Sequence, residues 1–191
     1  MTTWLADERH VAAEQRLLDA AGRVFVRMGV AAAGMADIAD EAGCSRATLY
    51  RHFRNRDALR SAFVTREAVR VAREVGRAGA DTTDPAERMA DAIVRTVATV
   101  RSTPALAAWF APDEAGPANR LAVSSEVIEA IAGEFLGEAG DDLAARWLVR
   151  SVVSLLTNPG ADEAEERALV ERFLVPSVLG GRPAHYGAAH G

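Results

Sequence analysis

Apolar residues along this chain recur three and four positions apart, the spacing of one buried face of an α-helix. Leu17, Leu18, Ala21, Val24, Phe25 and Met28 form such a stripe and predict a helix over 11–28, which Gly29 closes as a C-terminal cap. Residues 1–9 read as a loose arm. Met35, Ile38, Ala39 and Ala42 predict a short second helix over 35–41, and Gly43 interrupts it. Ser45 can cap a third helix over 46–53 through its hydroxyl. In that helix Leu49 and Phe53 turn inward and leave Arg46, Ala47, Thr48, Tyr50, Arg51 and His52 outside. Asn55 caps a long, arginine-rich fourth helix over 56–78.

A boundary is expected at 79–83. Asp84-Pro85-Ala86-Glu87 then combines a capping carboxylate, proline at the first helical position and glutamate at the third, and opens a helix to about 101. Thr103-Pro104 starts a short helix, 112–117 reads as a loop, and helices are expected over 117–136, 142–157 and 162–179. The tail, 181–191, is expected to be disordered. No strand alternation and no internal repeat is visible.

The last two of these helices differ from the rest. ARWLVRSVVSLL and ALVERFLVPSVL are apolar on more than one side, and a helix of that kind must be buried twice over. In a domain this small, a second subunit is the expected cover. Two chains would pair these helices into a four-helix bundle. Trp147, Arg150, Val153, Leu169, Phe173 and Val178 are the candidate interface residues.

Composition changes this picture little, whereas charge changes it more. Apolar residues make up 49% and charged residues 26% of 191 residues, ordinary values for a globular chain with a core. The net charge of −5 conceals an asymmetry: residues 1–80 hold 13 arginines against 10 acids, and residues 81–191 hold 9 against 17. Between Arg46 and Arg60 there are five arginines and one acid, Asp57. A basic patch on an acidic protein favours local DNA binding without general adhesion to polyanions. A short helix tipped with arginine, hydroxyl and aromatic groups suits the major groove. All 22 basic residues are arginine, which suggests coding bias and carries no functional weight. Cys44 is the one cysteine and reads as a small hydrophobe in the turn. The acidic start lacks an apolar stretch, and no run approaches the ~18 apolar residues of a membrane span. The expected location is cytoplasmic, with no membrane partner.

The run IADEAGCSRATLYRHFRNRDALRSAF resembles the DNA-binding end of the TetR family of transcriptional regulators. The matching elements are Ile38-Ala39, Ala42-Gly43, Ser45, Thr48-Leu49-Tyr50, Phe53, Arg56 and Leu59, together with the helix upstream that ends at Gly29. The resemblance covers about residues 11–63 and implies an all-α protein of about nine helices. A three-helix helix-turn-helix domain (1–56) would precede a helical ligand-binding and dimerisation domain (57–180). It also implies a ligand-responsive repressor that binds a near-palindromic operator as a homodimer and is released by a small effector. Arg46 and Thr48 would approach base edges, Ala47 would allow close approach, and Tyr50, Arg51, His52 and Arg56 would hold phosphates or groove walls. Met89, Ile93, Val97, Trp109, Phe110, Leu121, Ser125 and Ile128 would line the ligand cavity, and their apolar character implies a hydrophobic effector. One position departs from the pattern. The residue before the second helix is Gly34 where the family commonly has Ser or Thr, so a hydroxyl contact to phosphate is missing.

An enzyme is not expected. The histidines, His10, His52, His185 and His190, have neither the mutual spacing nor the cysteine partner of a zinc site, and there is no glycine-rich phosphate loop. No metal or cofactor is expected. The alternative is a helical ligand-binding or adaptor protein with vestigial DNA binding, for which a neutral or acidic third helix would be the sign.

Overall fold

The computed structural model describes residues 3–78, 83–111, 121, 125–137 and 140–180. The elements are α1 (Thr3–Met28), α2 (Met35–Glu41), α3 (Arg46–His52), α4 (Arg56–Ala78), α5 (Pro85–Ser102) and α6 (Pro104–Ala107), which runs on into a 3-10 turn at Ala108–Phe110. They continue with α7 (Glu126–Leu136), α8 (Asp142–Thr157) and α9, which is composed of Glu163–Leu169, a π-turn Val170–Leu174 and Val175–Leu179. No strand occurs among the described residues. The expected boundary at 79–82, the loop at 112–117 and the tail at 181–191 lie outside them.

Helix starts follow the caps read from sequence. Ser45 Oγ accepts from the Thr48 N–H at 3.1 Å, Asn55 Oδ1 from Ala58 at 2.8 Å, Asp84 Oδ1 from Ala86 at 2.9 Å and Asp162 Oδ1 from Glu165 at 2.8 Å. Gly29 and Gly43 take φ of 80° and 65°, the left-handed conformation that closes α1 and turns the chain between α2 and α3.

Three expectations are corrected. The arm expected over 1–9 is helical from Thr3, because its alanine, leucine and charged residues let α1 extend backwards without a breaker. The helix expected over 117–136 is not continuous. Ser125 is extended (φ −89°, ψ 108°) and caps a new start at Glu126. The last helix contains a π-turn, in which the Val175 N–H bonds back to the Val170 carbonyl. Pro176 follows at once. It lacks an N–H and its ring crowds the carbonyl one turn earlier, which accounts for the widening there.

Two apolar clusters hold the subunit. The first joins α1–α4 through Leu18, Val24, Phe25, Ile38, Leu49, Phe53, Leu59 and Phe63, and continues through Val71, Val75, Val100, Leu106 and Trp109. The helix-turn-helix therefore shares its core with α4–α6. Each such side chain contributes about 1.5–3 kcal/mol by leaving water. Met28, placed on the same stripe by its spacing, is 41% exposed at the end of α1. The second cluster gathers Met89, Ile93, Ala132, Leu136, Leu148, Val149, Val170, Leu174 and Val178 from α5, α7, α8 and α9. Where α1 crosses α4 and α6, a Cβ on Gly22 would meet Phe63 Cε2 at 3.1 Å and Ala105 Cβ at 3.4 Å, so the helices approach over a bare glycine.

Ion pairs brace the joints. Arg66 on α4 donates to Asp19 on α1 at 2.7 Å and to buried Glu67 at 2.8 Å. Arg101 on α5 donates to both oxygens of Glu166 on α9 at 2.7 Å. That bond, with a further one from the Gly160 N–H, holds the Glu166 carboxyl below the usual carboxylate range.

Candidate functional site

Helix α3 is positioned from both sides. On one side Arg23 and Arg27 of α1 donate to the two oxygens of Glu41 at 2.7 Å each, which fixes the end of α2 and lowers the pKa of that carboxyl. On the other, Arg56 donates to the Ala31 carbonyl at 3.1 Å and Arg60 to the Val30 carbonyl, which ties the start of α4 to the loop before α2. Within α3, Leu49 and then Phe53 lie four apart and are buried. Arg46, Ala47, Tyr50 and Arg51 are exposed, with Tyr50 at 50%. None of Arg46, Arg51 and the exposed Arg54 has a carboxylate within ion-pair distance among the described residues. Sequence reasoning singled out the first two. It left out Arg54, although the arginine run over 46–60 pointed to it.

Two expected contact residues are committed elsewhere. Thr48 is half-buried, with its hydroxyl 2.9 Å from Ser45 Oγ. His52 is one turn further on the same flank. Its ring stacks on His10 of α1, with centroids 4.5 Å apart, and its Nδ1 is buried. Burial, then the nearby His10 and Arg51, push its pKa down, so it favours the neutral form. His52 is corrected from an outward contact to a residue of the α1–α3 joint, because its ring meets His10 of α1. Arg56 remains exposed but spends one donor on Ala31. Gly34 is extended (φ −98°, ψ 162°), and its N–H donates to Asp37 Oδ2 at 3.0 Å, one half of a capping box.

Behind this head, α4, α5, α6 and the turn after it, α7 and α8 line an open-sided apolar cavity of about 180 Å³. Of the expected lining residues it brings together Met89, Ile93, Trp109, Phe110 and Ile128. Three others do not line it. Val97 is buried in the first cluster, Leu121 packs against that cluster, and Ser125 is spent capping α7. Sequence reasoning placed the fourth helix beside the cavity but named none of its lining residues, Val64, Ala68, Val71 and Ala72, and it missed the α8 wall, Leu148, Val149, Val152, Val153 and Leu156. The 64, 68, 71 spacing on α4 was a legible stripe, obscured by the arginines between. Among the described residues no group of three or more His, Cys, Asp and Glu side chains could hold a metal ion.

The outer surfaces of α8 and α9 carry Leu143, Trp147, Leu169 and Phe173, 71%, 49%, 41% and 63% exposed. Trp147, Arg150, Leu169 and Phe173 share one shallow groove, and Trp147 Nε1 donates to Ser177 Oγ at 2.9 Å across the two helices. Val153 and Val178, expected in the same interface, are 6% and 2% exposed within the single subunit. Val153 faces the cavity and Val178 the second cluster, because both occupy the inward stripe of their helices.

Residues 17–63 match the model of the family described as bacterial regulatory proteins, tetR family. Over 195 aligned positions the chain is 46% identical to an uncharacterised HTH-type transcriptional regulator of Mycobacterium tuberculosis, covering 99% of this chain and 96% of that protein. Its fold is similar to that of RolR in complex with resorcinol, with a TM-score of 0.69, 19% identity and coverage of 90% of each chain. It is also similar to the TetR family repressor AlkX from Dietzia sp., implicated in biodegradation of n-alkanes, with a TM-score of 0.59, 23% identity and coverage of 87% of this chain and 96% of that one. Proteins of this kind are DNA-binding regulators of transcription and not enzymes. No described helix is long and apolar enough to cross a membrane. With residues 17–63 matched to the family model and 99% of its length aligned at 46% identity to an HTH-type regulator, this chain belongs to the TetR family of bacterial transcriptional regulators.

Proposed function

We propose that the protein is a homodimeric repressor that binds a near-palindromic operator and is released by a small hydrophobic effector. The observation that carries this reading is the set of exposed arginines on and just after α3, Arg46, Arg51 and Arg54, which have no carboxylate partner among the described residues. A cation left without an internal partner on a rigidly braced helix is available to phosphates and base edges. Arg46 and Tyr50 are assigned to base edges and groove walls, Arg51 and Arg56 to phosphates, and Ala47 to close approach. The division into a head (1–56) and a ligand-binding and dimerisation module (57–180) belongs to the same reading.

The dimer is supported by the exposed apolar residues concentrated on α8 and α9. A two-fold axis there would bury Trp147, Leu169 and Phe173, with Arg150 beside them. The effector is supported by the apolar cavity and by the chemistry of two proteins of similar fold, one bound to resorcinol and one implicated in n-alkane biodegradation. An effector that favours one arrangement of α4 over the other would alter the spacing of the two heads.

The test is selection of binding sites from random duplex DNA, run beside an Arg46→Ala/Tyr50→Ala variant. Recovery of a near-palindromic site that the variant fails to bind supports the reading. Weak, salt-sensitive binding without an enriched sequence favours the alternative of a helical ligand-binding protein with vestigial DNA contacts.

A further inference from the structure

Where α1 reaches α3, two imidazole rings lie face to face. His10 and His52 stack with centroids 4.5 Å apart and planes at 23°. His10 is exposed, whereas His52 is half-buried, and its buried Nδ1 has no hydrogen-bond partner among the described residues. A neutral imidazole tolerates that position, because one of its ring nitrogens carries no proton. An imidazolium does not: both nitrogens are then donors, and a charged N–H would be shut away without an acceptor. A second charge, on His10, would face the first across the stack. The neighbouring charges do not remove this conflict. Burial, then His10 and Arg51, lower the pKa of His52, and Glu14 of α1 acts in the opposite sense. On α2, which also packs against α3, Asp37 accepts from the Gly34 N–H, Glu41 holds Arg23 and Arg27, and Asp40 is exposed.

Resting on the DNA-binding reading of α3, we propose that the His10–His52 stack is a proton-sensitive joint, closed while both rings are neutral and parted on acidification, with a loss of operator affinity. His52 ends α3 and lies between Arg51 and Arg54, two exposed arginines without a carboxylate partner among the described residues. A parted joint frees the end of the helix that carries them, and only the fraction of protein with the joint closed presents them in register. The sign follows from linkage. The His52 pKa is held below the ordinary histidine value of about 6.5, so the parted form takes up the proton first as pH falls. The joint's contribution is complete above that ordinary value and is lost as pH drops through the lower, folded one. Charge attraction alone predicts the opposite, because a proton gained beside Arg51 would strengthen the hold on phosphate. The two accounts therefore differ in the sign of the pH effect.

Affinity of the full-length protein for its selected duplex, measured by fluorescence anisotropy at fixed ionic strength, should fall about tenfold between about pH 7.5 and about pH 5.5. A His10→Phe/His52→Phe variant keeps two stacked rings and cannot take up the proton, so its affinity should change less than about twofold over the same range. His185 and His190 are present in both proteins and serve as an internal control. Affinity that rises on acidification, or falls equally in the variant, overturns the inference and leaves the DNA-binding reading standing. The joint is also read without DNA. The nuclear Overhauser contact between the two imidazole rings should be present at the higher pH and lost at the lower one, with the helical content unchanged. A contact that persists through the titration overturns the inference even where the variant does not fold. Failure to select a duplex at either pH overturns the DNA-binding reading, and with it the effect on operator affinity.

Discussion

In α3 the guanidinium groups of Arg46 and Arg51 are exposed with no carboxylate partner among the described residues, whereas Arg66, Arg101 and Arg167 of α4, α5 and α9 hold carboxylates at 2.7–3.1 Å. Every basic residue in the chain is arginine, so the contrast lies in placement and not in residue type. The paired group joins helices to one another: Arg101 links α5 to α9, and Arg167 links α9 to Asp91 of α5. The unpaired group sits on a helix whose inner face is already buried by Leu49. The same side chain thus serves the fold in one region and an external anion in the other. Which role it serves follows from whether acids lie opposite.

The sharpest way to break this contrast is to remove one member from each side. Arg46→Ala/Arg51→Ala should lower affinity for the selected operator by a hundredfold or more, since the Arg46 base contact carries about 1–3 kcal/mol, Arg51 adds a phosphate contact, and both subunits lose theirs. Its melting temperature should stay within about 1 °C, and the slope of affinity against salt should become shallower. Unchanged affinity, measured by fluorescence anisotropy, would remove α3 from the interface. Next in size is Phe173→Glu, which places a charge on the exposed face of α9. Sedimentation should show a dimer converted to monomer at concentrations about a hundredfold above the original dissociation midpoint. Cutting the chain after Thr157 would be a poorer test, because it also removes Val170, Leu174 and Val178 from the subunit's own core.

A smaller effect is expected from Arg101→Met, which strands Glu166 in a site where that residue is 7% exposed. The Arg101 side chain is 36% exposed, so the loss is placed at about 2 kcal/mol, or roughly 4–8 °C in melting temperature, below the cost of breaking a fully buried pair. Operator affinity should not move. The pH dependence has a definite sign. The Glu166 carboxyl is held below its ordinary value, so the unfolded chain takes up the proton first as pH falls. The pair's contribution is complete above the unfolded carboxylate value of about 4.3 and is lost as pH drops through the folded value. Arg101→Met should therefore flatten the acid limb of stability against pH. The smallest effect is that of Gly34→Ser, expected to tighten operator binding less than about threefold by restoring a capping hydroxyl. Its Cβ would meet Asp37 Oδ2 at 3.0 Å, so the carboxylate must yield, and a weaker complex would show that it does not.

The head was more legible in the sequence than the module behind it. Helices α2 and α3 are short and bounded by Gly43 and a serine cap, so each apolar residue had one place to go. His52 was misread because spacing alone places it outside Leu49, while the flank it occupies is covered by His10, 42 positions earlier in the chain. The cavity was half legible for a similar reason. Met89 and Ile93 announced an inward stripe on α5, whereas on α8, read as buried on two sides, Val153 was assigned to the dimer side. Val153 turned out to face the cavity while Trp147, on the same helix, faces solvent. Periodicity tells how many faces of a helix are apolar; only the packed neighbours tell which face each one meets. The π-turn before Pro176 and the break at Ser125 depend on backbone bonds that the apolar pattern does not record.

The most direct test of the account is a hydroxyl-radical footprint of the purified protein on its selected duplex. A dimer that presents two α3 helices to successive major grooves should protect two backbone patches on one face of the DNA, about ten base pairs apart and related by the site's own two-fold symmetry. A single patch, or protection without periodicity, would contradict it.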